Sequence, residues 1–198
     1  MKKLFVLLTA MAFAATAFAV EIGRPAPDFT GTDINGKTVK LSDYKGKIVV
    51  IESYNSDCPF CKNHYKTGAM QELQNQLAAK GVVWLIVDSV NTKNSSYRTP
   101  EQARKELVDQ KIVATAWIDD NSGTVGKLYG MKTTPHMFVI AKDGTLAYDG
   151  AIDNKPDPSH NPHTAKNYVS AAVDELTAGK PVTVSQTKPY GCGVHYAN

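Results

Sequence analysis

Two stretches of this chain are apolar without interruption, residues 48–51 (IVVI) and 82–87 (VVWLIV). A strand covered on both faces reads this way, because neither set of alternate side chains meets water. Between them Met70, Leu73 and Leu77 recur at helical spacing, and Gly81 stands where a helix would stop. The pattern predicts a strand over residues 48–54, a single helix over 59–80 and a strand over 82–87, an order that calls for parallel pairing. Upstream, residues 23–29 (GRPAPDF) are a proline-stiffened entry, and Asp33-Ile34-Asn35-Gly36-Lys37 is a hairpin turn leading to Thr38-Val39-Lys40-Leu41. Residues 42–47 are a polar connection into the first central strand.

Downstream, residues 88–99 read as a polar loop and residues 100–110 (PEQARKELVDQ) as a surface helix with Thr99 as its N-cap. A third strand is expected over 114–118 and a short helix over 124–129, stopped by Gly130. Thr133-Thr134 lead into a strand that runs to Ile140 with Pro135 at its first position, where the ladder can do without its N–H. Asp143-Gly144 then turns the chain back into residues 145–148 as an antiparallel hairpin. A loop rich in Pro, Asp, Asn and His (153–163), an amphipathic helix over 164–178 and a tail with Gly191-Cys192-Gly193 complete the order.

The chemistry concentrates at Cys58-Pro59-Phe60-Cys61, between the first strand and the first helix. A Cys-x-x-Cys at such a junction puts two sulfurs about one helical turn apart on one face, within reach of a reversible disulfide. Pro59 suits the first helical position, and the free N–H groups of that turn favour a thiolate on Cys58. Cys58 is therefore the expected attacking sulfur and Cys61 the resolving one. A zinc half-site would need a second Cys or His pair at matching spacing, and the chain has no second Cys-x-x-Cys. Two rival functions stand beside thiol-disulfide exchange. One is a thiol peroxidase with Cys58 attacking and Cys61 or Cys192 resolving; the other is a carrier of copper(I) on Cys58 and Cys61, helped by His64 or Cys192. No cofactor is expected.

The ends of the chain set the compartment. Met1-Lys2-Lys3, an apolar run over residues 4–18 and Ala17-Phe18-Ala19 have the layout of a cleaved secretory leader, which predicts a periplasmic or secreted protein with no stable membrane insertion afterwards. Of the 22 basic side chains Lys2 and Lys3 leave with that leader, so 20 face 19 acidic ones, a balance that argues against nucleic acid as a partner. Residues 20–179 are expected to form one domain, and 180–198 a tail carrying Cys192. All three cysteines lie in the mature part, and an odd count means that at least one is not locked in an internal bridge.

The order of elements, the Cys-x-x-Cys at a strand-to-helix junction and the late Thr-Pro before a strand resemble the thioredoxin fold. GRPAPDF and LSDYKGK, with the long N-terminal extension, resemble the exported peroxiredoxin-like redoxins of the AhpC/TSA group, as do YDGAIDN and the tail TKPYGCGVHY. The resemblance implies an α/β fold with a central mixed sheet flanked by helices and an N-terminal redoxin-type extension. It also implies exchange with protein thiols and disulfides and an unidentified redox partner. It further implies that the Thr134–Pro135 bond is cis and that its loop faces the cysteines. Glu52, six residues before Cys58, matches the buried acid that exchanges protons with the resolving thiol. The chain departs from the pattern at Asp57, which stands where thioredoxins have tryptophan and whose charge should oppose a Cys58 thiolate. It departs again at Asn55 and Ile51, where peroxiredoxins carry the Thr or Ser and the Pro of their peroxide pocket.

The remaining candidates are placed by their neighbours. Cys192, between two glycines, suits a sulfur that swings toward the active pair as a further resolving thiol. His64 lies one turn beyond Cys61 and is expected to be a solvated helix histidine. His136 follows the proline and nears the cysteines only if the proline loop does. His160, His163 and His195 are expected to decorate loops without a metal role.

Overall fold

The computed structural model describes residues 20–197; the expected leader, residues 1–19, lies outside the described residues. Five strands form the central sheet: β3 (Val49–Ser53), β4 (Val83–Asp88), β5 (Ala116–Asp119), β7 (His136–Ile140) and β8 (Leu146–Gly150), in the order β5-β4-β3-β7-β8. β3, β4 and β5 run parallel, as the strand, helix, strand order predicts; β7 pairs antiparallel with β3, and β8 antiparallel with β7. β3 and β4 are buried at every position, the physical counterpart of their unbroken apolar runs. A small hairpin, β1 (Thr30–Thr32) with β2 (Thr38–Lys40), precedes them.

Each face of the sheet has its own core. One face packs Val50, Tyr54, Trp84 and Ile86 against α1 (Pro59–Lys66), α2 (Ala69–Ala79), α3 (Pro100–Asp109) and α5 (Tyr168–Thr177). The other packs Val49, Ile51, Leu85 and Phe138 against α4 (Thr124–Leu128) and the N-terminal hairpin. The expected cap of α3 is present as a reciprocal box, Thr99 Oγ1 accepting from Gln102 N–H and the Gln102 side chain accepting from Thr99 N–H. Among the described residues no helix is long and apolar enough to cross a membrane.

Four expectations are corrected. The single helix over 59–80 is two helices, because Gly68 adopts a φ of 84° that ends α1 and starts α2 in a new direction. The strand expected to open on Pro135 starts one residue later, as β7 at His136, and Thr133–Thr134 before it form a separate short strand, β6, outside the central sheet; the Thr134–Pro135 peptide between them is cis, as the resemblance implies. The third strand starts at Ala116 rather than 114, since Thr115 is spent on Trp84, accepting its N–H through the hydroxyl and donating its own N–H to its carbonyl. The last helix starts at Tyr168, where the Asn167 side chain accepts from Ser170 N–H, and is preceded by a 3-10 turn, Pro162–Thr164.

Candidate active site

β3 delivers the chain to the end of the sheet, where Asn55 organises the turn into α1. Its side-chain oxygen accepts from Asp57 N–H at 2.8 Å and its carbonyl accepts from Cys58 N–H at 3.1 Å. Cys58 is thereby the N-cap residue of α1, with Pro59 at the first helical position and Cys61 within the first turn. All three cysteines are free thiols.

The two sulfurs are electrostatically unlike. Cys58 is held well below the ordinary thiol range, first by a hydrogen bond from the Cys61 thiol, against the cost of burial and with help from Cys192. The Thr134 carbonyl, 2.8 Å from Cys58 Sγ, can only accept and so favours the protonated form; the net direction is still downward. Burial, then the negative charge of Cys58 and Glu52, pushes Cys61 far up. One sulfur is thus set to attack and the other to keep its proton.

Glu52 lies beneath this pair and is 0% exposed. Its Oε2 accepts from Tyr65 Oη–H and Trp84 Nε1–H, both at 2.9 Å, while Oε1 is buried without a partner. Burial pushes its pKa to about 7, and the two donors only moderate the rise. Tyr65 is itself held by the Gln74 side chain at 3.1 Å. The spacing of Tyr65 four residues after Cys61, and of Trp84 two before Ile86, the cross-strand partner of Glu52, puts both on the Glu52 face. That signal was in the sequence and went unread.

Asp57 behaves otherwise than expected. Partial burial pushes its carboxyl up, but hydrogen bonds from Lys62 and Arg98 outweigh this and hold it below its usual range. Both bonds are 3.0 Å long, and Arg98 also reaches Glu106 at 3.6 Å. Glu106 in turn accepts from Tyr54 and Ser56 at 2.5 and 2.6 Å. The charge that should oppose a Cys58 thiolate is answered by two cations from outside the motif.

Cys58 is not open to solvent: the residue is 2% exposed. Cys58 and Cys61 belong to the buried cluster on this face of the sheet, and the tail packs against it through Tyr190 and Cys192. β9 (Cys192–Gly193) pairs antiparallel with β6, Cys192 opposite Thr134. A Cβ at Gly191 would collide with the Thr134 carbonyl, so only glycine allows this approach. Cys192 therefore has no need to swing; it already stands beside Cys58, and burial with that neighbouring charge pushes its own pKa to about 12. Tyr190 packs on Phe60 with ring centroids 5.6 Å apart, and Tyr196 Oη–H donates to the Met131 carbonyl at 2.9 Å.

The histidines part ways. His64 is not solvated: it is 2% exposed, burial lowers its pKa to about 4, and its Nε2 has no hydrogen-bond partner. The 160s loop folds over α1, so His160 leaves the loop-decorating role and meets Asp153 and His64. His136 points to the opposite face of the sheet from the cysteines, where it packs on Phe138 and bonds Asp149 at 2.7 Å. His163 and His195 remain exposed.

Residues 22–149 match the AhpC/TSA family. A thiol-disulfide oxidoreductase ResA from Bacillus thuringiensis subsp. konkukian (strain 97-27) is 33% identical over 127 residues, which covers 64% of this chain and 68% of that protein. An uncharacterized conserved protein from Geobacillus kaustophilus has the same fold with a TM-score of 0.78 at 26% identity, covering 90% of this chain and 93% of its own. A candidate thiol:disulfide interchange protein DsbE from Chlorobium tepidum matches with a TM-score of 0.52 at 27% identity, over 66% of this chain and 85% of its own. The chain belongs to the AhpC/TSA family, with the thioredoxin-like fold that its sequence resembled.

Proposed function

We propose that the chain is a thiol-disulfide oxidoreductase that works outside the cytoplasm, with Cys58 and Cys61 as its redox pair. The observation that carries the reading is the placing of two thiols in the first turn of α1, Cys58 as its N-cap and Cys61 inside it, above a buried carboxyl with one free oxygen. The enzyme class is also that of the ResA relative from Bacillus thuringiensis.

The Cys58 thiolate attacks one sulfur of a partner disulfide; a Cys58–partner bond forms and the other partner sulfur leaves as a thiolate. Glu52 takes the proton of Cys61, and the freed Cys61 sulfur attacks Cys58. The Cys58–Cys61 bond closes and the second partner thiolate leaves, so the partner is reduced by two electrons and the pair oxidised by two. The reverse sequence oxidises a partner dithiol. Partners are protein thiols and disulfides and a redox protein that resets the pair.

Thr134 and Pro135 shape the docking edge: an extended partner peptide would take the place of β9 against Thr133–Thr134. Cys192 acts as a third thiol at the same sulfur: as the tail returns it can attack a Cys58–partner bond, closing Cys58–Cys192 while the partner thiolate leaves. The leader layout of residues 1–19 supports the extracytoplasmic site, with the domain at 20–179 and the tail beyond it as the mature parts.

Reduction of a disulfide-bonded protein substrate tests the reading. Cys58→Ser brings exchange to the uncatalysed background, and Cys61→Ser accumulates a covalent partner adduct. Exchange that survives the loss of Cys58 removes the assignment.

A further inference from the structure

We propose that His64 Nε2, His160 Nε2 and Asp153 Oδ2 form a binding site for a divalent transition ion of borderline softness, Zn²⁺ by type, that uses none of the three thiols. The three donor atoms lie within 4.8 Å of one another. Asp153 Oδ2 is 2.9 Å from His160 Nε2 and 3.7 Å from His64 Nε2. Donors about 2.0–2.1 Å from a tetrahedral zinc stand about 3.4 Å apart, so the two separations bracket what the ion requires.

Two separate observations point to a cation rather than to a closed hydrogen-bond cluster. The first is His64 Nε2, which is buried, faces Asp153, and stands too far from it to bond. The second is a proton count at His160. Its Nδ1 faces the Asp157 carbonyl and its Nε2 faces the Asp153 carboxylate, two acceptors for a ring that in its neutral form has one N–H. A metal ion at Nε2 satisfies both ends with the Nδ1 proton alone. His136 shows the closed alternative: its Nδ1 accepts from Lys132 N–H and its Nε2 donates to Asp149, so one proton suffices.

The surroundings are those of a supported site. His160 Nδ1 is fixed by a backbone carbonyl, and Asp153 Oδ1 accepts from Tyr190 Oη–H at 2.6 Å and Lys155 N–H at 2.8 Å. His160 forms part of the wall of an open hollow of about 410 Å³, which supplies an entry path. Three protein donors leave a fourth position for water or a substrate atom. Tyr190 belongs to the tail that covers Cys58, so the ion would hold the carboxylate from which that part of the tail hangs.

The test uses the full chain with Cys58, Cys61 and Cys192 all changed to Ser, titrated with Zn²⁺ by calorimetry and with Co²⁺ by absorbance. Saturable uptake of one ion per chain is expected, with Co²⁺ ligand-field bands and no sulfur charge-transfer band. His160→Gln and His64→Gln weaken binding at least as much as the ten- to hundredfold that loss of an outer partner costs, and Tyr190→Phe by about tenfold. Circular dichroism establishes that each variant is folded; His160 and Tyr190 are only partly buried, so their variants keep the test open if His64→Gln does not fold. No uptake by the thiol-free chain, or uptake undiminished in His160→Gln, overturns the site. Either result leaves the redox reading where the Cys58→Ser assay puts it.

Discussion

Along β3 the side chains of Val49, Ile51 and Ser53 point to one face of the sheet, and those of Val50, Glu52 and Tyr54 to the other. On the first face His136 is fully satisfied between Lys132 and Asp149, and the polar atom left over, the Ser53 hydroxyl, does not titrate. On the second face the leftover atoms include Glu52 Oε1 and His64 Nε2, both able to take up a proton or a ligand, beside the amide oxygen of Gln71, which is not. The strands and the depth of burial are shared. Capacity is left open on both faces; what differs is that on the second face two of the open atoms can bind a proton or a metal ion, whereas the Ser53 hydroxyl only carries the cost of an unmade hydrogen bond.

Mutations can break this contrast. Phe138→Ala, on the face opposite the thiols, should cost about 3–5 kcal/mol of stability in a denaturant melt while leaving the exchange rate per folded molecule unchanged. A changed reduction potential in that variant would mean that the faces are not independent. Glu52→Gln should do the opposite, slowing resolution by Cys61 on the order of a hundredfold in a quenched trapping assay. In the wild type that step should speed up as pH rises through about 7, because only the ionised carboxylate accepts the proton.

The same carboxyl has a stability signature. Its folded pKa, about 7, lies above the unfolded value of 4.5, so the folded state binds the extra proton. Its contribution is fully favourable below about 4.5 and is lost as pH rises to about 7, roughly 3 kcal/mol in all. Asp88, raised to about 8 by burial, acts in the same sense, so the Glu52 share is the difference between wild type and Glu52→Gln in urea melts across that range.

Smaller effects sharpen the picture of the site. Cys192→Ala removes one tie between tail and thiol, and should speed alkylation of Cys58 by up to about tenfold, the worth of one hydrogen bond. An unchanged rate would show that the β6–β9 pairing alone holds the cover. Arg98→Ala should raise the Cys58 pKa, followed by thiolate absorbance against pH, by a few tenths of a unit, since a partly exposed ion pair is worth under about 1 kcal/mol.

Much of this was legible in one dimension. β3 and β4 could be read because residues buried on both sides leave an unbroken apolar run, and Cys58 and Cys61 because their spacing is local. The break at Gly68 was missed because Met70, Leu73 and Leu77 keep helical spacing on the far side of it. Asp153, Arg98 and Tyr190 were invisible as site residues: their partners lie 37 or more positions away, or across a loop whose path no local pattern encodes.

By itself the order of residues determined the strand and helix sequence, the parallel unit, the junction that pairs two sulfurs and the placing of an acid on a buried strand. Those features depend on hydrophobic period and on chain neighbours, which are properties of short stretches. Tertiary structure alone decided that the tail lies over Cys58, that two cations answer Asp57, and that His64, Asp153 and His160 meet. Each of those needs segments far apart in the chain to close on one another, and their closure is set by the packing of the whole domain.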